Sequence, residues 1–289
     1  SLGEFKGLFN KYGPERVRDT PISETAILGS AIGAAATGMR PIANIMFVDF
    51  LGVCGDELLN QIQMTYMFGG KIKLPLTIIS LSGAGLSAAA HHSKNLYGLW
   101  ICVPELKVVV PSTPYDAKGL LKTAIREDNP VLFLEHKALI LGGIKGVVPE
   151  EEYTIPLGKA DIKREGSHVT VVAMALMVHR ALAVADKLQK EKGLSIEVID
   201  PRSLVPFDKQ AIIDSVKKTG RLVIIDEDRK TGSAAGEISA TIAEEAFDFL
   251  DAPIKRVCAP DTPVPFSSPL EKFWMPDEED LSKAISEIV

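Results

Sequence analysis

Cysteine is scarce: three residues in 289, Cys54, Cys102 and Cys258, far apart and forming no CxxC. That spacing excludes a disulfide framework and a zinc knuckle. Each lies among apolar neighbours and is expected in the core, and a reducing cytoplasm fits. Basic charge is also short. With 32 Lys+Arg against 38 Asp+Glu the net charge is −6, which argues against nucleic acid as the main partner. No apolar run reaches the length of a membrane span, because Gly, Pro and polar residues interrupt each one. No basic-then-apolar leader is read at Ser1. There are no internal repeats and no low-complexity tract. Both nucleotide fingerprints are incomplete: Gly83-Ala-Gly85 has Ala88 where GxGxxG needs its third glycine, and no GxxxxGK[ST] occurs. A lone Gly29-xxx-Gly33 adds little, and a Rossmann cofactor site is rejected.

What is present reads as a globular α/β chain. It is 46% hydrophobic and 24% charged, and its length suffices for two ordinary domains. The stretch that organises the rest is Asp-Thr-Pro-Ile-Ser-Glu from Asp19, then Thr25-Ala-Ile-Leu-Gly-Ser-Ala-Ile-Gly-Ala-Ala-Ala-Thr-Gly38. Pro21 stiffens the approach, and Ser23 is a good N-cap. The helix that follows carries no charge before Arg40, so burial on most sides is expected. Its small residues, among them Gly29, Ala31, Gly33 and Ala35, let other backbones come close. One acid, Glu24, stands at the mouth of this apolar helix. Two readings apply. An acid in a first helical turn complements the helix dipole, for about 0.3–1 kcal/mol. A carboxyl beside apolar surroundings also trades a proton in acid–base chemistry.

Strands are predicted over 42–48, 75–80, 106–110 and 131–135, alternating with helices over 58–68, 96–101 and 115–126. That alternation predicts a doubly wound parallel sheet. Residues 136 to 167 change character, with Gly142-Gly143, Pro149, Glu150-Glu151-Glu152 and Pro156, and read as an ordered linker. A second α/β block follows, with strands over 169–173, 196–199, 222–225 and 254–258 and helices over 178–190, 209–217, 235–247 and 277–288. Gly232-Ser-Ala-Ala-Gly236 opens one of these helices. It either meets an anion or, as preferred, packs the helix closely on its strand. The chain opens in an amphipathic piece (Phe5, Leu8, Phe9) with no strand before it, so an earlier part of the first domain is expected to be absent.

His91-His92 follow a Gly/Ser/Ala loop over 82–90, on the side where open α/β sheets place ligands. Side by side in a loop, they are expected to point to different sides, leaving at most one for function. Metal ligation needs a third ligand, for which the spacing offers nothing. Proton transfer is the preferred functional reading, against a structural or surface histidine. Phe50, after Asp49 at a strand's carboxyl end, is either core or a platform for a flat heterocycle.

Several segments taken together carry a resemblance. They are Thr20-Pro-Ile-Ser-Glu24, Met46-Phe-Val-Asp-Phe50, His92-Ser93, Pro111-Ser-Thr-Pro114, Asp116-Ala-Lys-Gly-Leu-Leu121, Asp128-Asn-Pro130, Leu134-Glu-His136 and Asp200-Pro-Arg-Ser-Leu204. In this order, over essentially the whole chain, they resemble the beta subunit of the thiamine-diphosphate-dependent decarboxylating component of 2-oxo acid dehydrogenase complexes. The type is that of pyruvate or acetoin dehydrogenase, in the transketolase-like superfamily; Gly83-Ala-Gly-Leu-Ser-Ala-Ala-Ala90 leans toward acetoin.

The resemblance implies a pyrimidine-binding domain over 1–140, a linker over 141–160 and a transketolase C-terminal-like domain over 161–289. It implies that Glu24 hydrogen-bonds a ring nitrogen of the aminopyrimidine, favouring the imino form that activates the thiazolium carbon. Ile22 and Phe50 match cofactor-binding positions, and Phe50 lies against the pyrimidine. His92 matches a histidine at the active-site mouth that assists acyl transfer to a lipoyl group. A structural potassium ion is implied at Leu76, Ala124, Ile125, Glu127 and Asn129, mostly through backbone carbonyls. His91 and Lys94 stand where Gln is common. The diphosphate and magnesium motif, GDG followed by Asn, is absent here and belongs to an alpha subunit. The expected assembly is therefore two alpha and two beta chains sharing the cofactor, serving a lipoyl-bearing acyltransferase core, in the cytoplasm. Rival readings are a transketolase-like or synthase-type half with another acceptor, and an assembly subunit whose site has decayed.

Overall fold

A computed structural model describes residues 5–289. The strands are β1 (Ile42–Phe47), β2 (Thr77–Ser82), β3 (Lys107–Val109), β4 (Val131–His136), β5 (Asp161–Arg164), β6 (Val169–Ala173), β7 (Ile196–Asp200), β8 (Ser203–Val205), β9 (Leu222–Arg229) and β10 (Lys255–Ala259). They form two five-stranded sheets, in the orders β1-β2-β4-β3-β8 and β10-β9-β6-β7-β5. The central pairings are parallel. Only the edges β8 and β5 run antiparallel to their neighbours. Every residue of β2 and β6 is buried, as strands covered by helices on both faces require. Segment 142–160 contains no helix or strand, yet it is held. Tyr153 stacks on Tyr115 at 4.6 Å, and Ile155 is buried against the helix Pro114–Arg126.

Several elements differ from expectation. The helix over 58–68 is broken into Gly55–Leu59, a 3-10 turn at Gln61–Gln63 and Met64–Met67. Asn60 and Gln61 both turn back to the Asp56 carboxylate, at 2.7 and 3.0 Å, and interrupt the ladder. The helix Glu24–Ala36 is not buried on most sides of this chain. It buries one row, Leu28, Ala31, Ile32 and Ala35, and leaves Ala26, Ser30 and Gly33 exposed. Ser23 does occupy the N-cap position, but its hydroxyl donates to the Pro21 carbonyl (3.3 Å) and makes no cap.

The two sheets share one apolar cluster, in which Tyr97, Trp100 and Val108 meet Leu204, Ala234 and Ile238. Strand β8 belongs to the first sheet although the chain reaches it from the second. At this crossing Lys163 Nζ lies 2.6 Å from Asp116, 2.7 Å from Asp161 and 3.7 Å from Asp200, while Arg202 reaches Asp116 at 3.2 Å. Burial works against the Asp116 charge, yet hydrogen bonds from Lys163 and Thr113 hold its carboxyl below the usual range. Burial pushes Asp200 up to about 6, against the pull of Lys163 and Ser112. Gly98 and Gly232 touch across the same boundary. A Cβ on Gly98 would lie 1.5 Å from the Gly232 carbonyl oxygen. The close packing therefore falls on Gly98, in the helix Tyr97–Ile101, against the Gly232 carbonyl; a Cβ at Gly232 itself would meet nothing within 4 Å, and what suits glycine there is its φ of 69°. Of the cysteines, Cys54 is buried and Cys258 partly so, with thiols pushed up to about 12 chiefly by burial; Cys102 is exposed, contrary to a core role.

Candidate active site

The site is built at the carboxyl ends of β1, β2 and β4. After β1 the chain enters a 3-10 turn, Val48–Gly52, which buries Val48 and Leu51 and leaves Phe50 at the edge. The helix carrying Glu24 is tied to this region, because Thr25 Oγ1 donates to the Val53 carbonyl at 3.0 Å. Glu24 is partly buried, and no described residue donates a hydrogen bond to its carboxylate. A partly buried acceptor without a protein partner is open to a ligand or to water.

Phe47, Phe50 and His92 form an edge-to-face triad. His92 lies 4.7 Å from Phe47 and 5.3 Å from Phe50 between ring centroids, with interplanar angles of 87° and 90°. His91 does not point away: its ring lies 4.3 Å from that of His92, in a turn where Ala89 has φ 63° and its carbonyl accepts from the His92 N–H at 3.3 Å. Beside this triad Asp49, its side chain 3% exposed, accepts from Lys94 at 2.9 Å. Its second oxygen, Oδ2, accepts no hydrogen bond among the described residues. Lys137 donates from Nζ to the His92 carbonyl and sits 5.4 Å above the Phe47 ring. Burial lowers the Lys137 pKa against the pull of Asp49, Glu227 and Glu271.

The structure thus brings Phe50 and His92 together and ties the Glu24 helix to the same turn. Ile22 touches nothing here and is 95% exposed. The five positions implied for potassium lie near one another, since the Asp128 carbonyl accepts from Leu74 and the Leu76 carbonyl from Val131. A cation already stands on two of them. Arg40 Nη1 donates to the carbonyls of Ile125 (3.2 Å) and Glu127 (2.9 Å). Asp49, Lys137, His136, Glu227 and Glu271 escaped sequence reasoning as site neighbours. Their partners lie up to 186 positions away, and no local period marks them.

An acceptor carboxylate and an aromatic pair fit one face of an aminopyrimidine. Among the described residues no group of three His, Cys, Asp or Glu stands ready to hold a metal ion.

Comparison places this geometry. Residues 1–141 match the family "Transketolase, pyrimidine binding domain", and residues 158–281 match "Transketolase, C-terminal domain". A solved structure titled "Split gene transketolase, inactive beta4 tetramer" superposes with TM-score 0.80 at 24% identity, covering 100% of this chain and 88% of that one. The class is therefore the two-domain, transketolase-like fold of thiamine-diphosphate-dependent enzymes. Within it, the chain is 52% identical to the acetoin:2,6-dichlorophenolindophenol oxidoreductase subunit beta of Bacillus subtilis, over 100% of this chain and 84% of that one. The same subunit of Cupriavidus necator is 51% identical (98% and 83% covered), and the pyruvate dehydrogenase E1 component subunit beta of Bacillus subtilis 43% (98% and 87%). The chain belongs to the family of beta subunits of acetoin and 2-oxo acid dehydrogenases, which are oxidoreductases. No helix among the described residues is long and apolar enough to cross a membrane.

Proposed function

We propose that this chain is the beta subunit of an acetoin-cleaving dehydrogenase, working with an alpha subunit and passing the acetyl group to a lipoyl carrier. The observation that carries this reading is the Glu24 carboxylate, to which no described residue donates, on a helix tied through Thr25 to the Val53 carbonyl at the end of the turn that carries Phe50. Identities of 52 and 51% to the acetoin-named relatives, against 43% to the pyruvate and 2-oxoisovalerate ones, favour acetoin over 2-oxo acids.

Thiamine diphosphate, when bound, supplies the carbon nucleophile that attacks the substrate carbonyl. Glu24 shares a proton with a ring nitrogen of the aminopyrimidine and so tunes its basicity. Phe50 lies against the ring, with Ile22 completing the cofactor side once a second chain covers it. His92 holds and moves a proton at the mouth during transfer to the acceptor. Lys94 neutralises Asp49, and Lys137 fixes the His92 backbone.

The alpha subunit is the occupant of the exposed row Ala26, Ser30 and Gly33. A helix apolar all round and buried on one side only is a surface for another chain. That subunit holds the diphosphate and magnesium, in an assembly of two alpha and two beta chains that serves an acyltransferase core. Residues 1–140 form the pyrimidine-binding unit, 141–160 the linker and 161–289 the C-terminal unit. Potassium sits on the carbonyls at Leu76, Ala124, Ile125, Glu127 and Asn129, and the compartment is the cytoplasm, where the three thiols stay reduced.

The test is reconstitution with the cognate alpha subunit, thiamine diphosphate and magnesium. Acetoin is expected to reduce dichlorophenolindophenol, with pyruvate a poorer substrate. No turnover with acetoin or any 2-oxo acid overturns the reading.

A further inference from the structure

The loop that carries His92 is gripped by two carboxylates from the other half of the molecule. Glu227, at the end of β9, accepts the Ala84 N–H at 2.6 Å through Oε1. Its Oε2 accepts from His136 Nε2 at 2.8 Å. Glu271, on the helix Ser268–Trp274, accepts the Gly85 N–H at 3.0 Å and the Ser87 N–H at 2.7 Å. All three side chains are at most 3% exposed. Successive N–H groups converge on these carboxylates because Gly83, Gly85 and Ser87 all have positive φ, at 92°, 98° and 51°. Glycine is required at the first position: a Cβ there would lie 2.1 Å from His136 Nε2.

His136 is fixed in turn. Its Nδ1 accepts from the Ala138 N–H at 3.2 Å, so its Nε2 carries the proton that faces Glu227. The next residue, Lys137, donates to the His92 carbonyl, and the Gly83 N–H closes on the Lys94 carbonyl at 3.0 Å. The start and the end of the 83–94 loop are thus pinned by neighbouring residues of β4 and its exit, and β4 is pinned by Glu227.

We infer that Glu227, acting through His136 and the Ala84 N–H, is a positioning residue that sets the place of His92 for transfer of the acyl group to the lipoyl carrier. The inference rests on the role given to His92 above. Glutamine cannot replace Glu227 without conflict. Whichever way its amide is turned, its NH2 meets either the His136 N–H or the Ala84 N–H, each a donor. The loop must shift, and a misplacement of about 1 Å costs on the order of 100-fold in a positioned step.

The experiment uses the enzyme assembled with its alpha subunit and measures two acceptors. Dichlorophenolindophenol takes electrons without needing the carrier, whereas the lipoyl domain must meet the His92 loop. Glu227→Gln is expected to lower lipoyl-dependent turnover about 10- to 100-fold and to leave dye-linked turnover within about twofold. Glu227→Gln combined with His92→Gln is expected to be no worse than His92→Gln alone, since both act on one step. Additive losses, parallel loss with both acceptors, or no loss with either would overturn the inference. If Glu227→Gln fails to assemble, Glu271→Gln carries the same test of the loop's placement from the helix Ser268–Trp274, through the Gly85 and Ser87 N–H groups. Absence of dye-linked turnover in the unsubstituted enzyme would instead overturn the functional reading itself.

Discussion

Lys94 and Asp49 form an ion pair, 2.9 Å long, whose two ends lie in different surroundings: the Asp49 side chain is 3% exposed and that of Lys94 38%. The pair sits one residue before Phe50 and two after His92 in sequence. Its value lies less in attraction than in what its loss would leave behind, an uncompensated carboxylate with one oxygen already unpartnered. Lys94→Met should therefore destabilise the assembled enzyme by about 1–3 kcal/mol, solvent at the lysine end limiting the cost. Asp49→Asn on that background should restore most of the loss. Denaturant midpoints for the two single variants and the double variant read the coupling. A double variant as unstable as the sum of the singles would show that the pair does not act as a unit.

Glu24→Gln keeps the shape of the side chain and one acceptor oxygen but removes the proton exchange. Turnover is expected to fall by about 10²- to 10⁴-fold, the usual range for a lost acid–base group. Gel filtration with the alpha subunit should show unchanged assembly, because no described residue hydrogen-bonds to the carboxylate. Turnover within tenfold of the unsubstituted enzyme would remove Glu24 from the chemistry.

The Arg40 guanidinium and the implied potassium ion compete for one set of oxygens. Arg40 takes the carbonyls of Ile125 and Glu127 at 3.2 and 2.9 Å, and each carbonyl has a second lone pair to offer. If potassium shares them, exchanging sodium for potassium at constant ionic strength should stabilise the enzyme by about 1–3 kcal/mol at 10 to 100 times the dissociation constant. Equal unfolding temperatures in the two salts would leave Arg40 as the cation on these carbonyls.

What the sequence shows of this fold is the part written in local pattern. Continuous apolar runs such as 75–80 and 169–173 are all buried and mark the two sheets, although the first strand is observed two residues later, at Thr77–Ser82. β5 and β8 were not legible: they are short edge strands, and β8 lies between Pro201 and Pro206 and pairs only with a strand from the other half. Among site residues, Phe50 and His92 stood out by motif, and the ring contact between them is seen only in three dimensions. The direction of the His91 ring, 4.3 Å from that of His92, is set by the folded loop and has no mark in the sequence. Glu227 lies 91 positions from His136, and its role follows from two elements of different sheets meeting, which no window of sequence contains.

Asp200 gives the clearest pH signature. Burial holds its carboxyl up to about 6 in the folded chain, against its ordinary value of 3.8. Between those values the folded state binds more protons than the unfolded one, so this residue's contribution is fully present below about pH 4. It is lost as pH rises through about 6 and is level above that. The difference corresponds to about 3 kcal/mol. Asn at this position suits the surroundings: its oxygen can take the Arg202 N–H, and its NH2 can donate to the Ser112 hydroxyl, which reverses its role. Lys163 keeps Asp116 and Asp161 as partners. Asp200→Asn is therefore expected to be neutral or stabilising at pH 7.5, to flatten the stability profile between pH 4 and 6, and to leave dye-linked turnover unchanged. Urea midpoints of the assembled enzyme at half-unit steps across that range check the slope; an undiminished slope in the variant would assign it to another group.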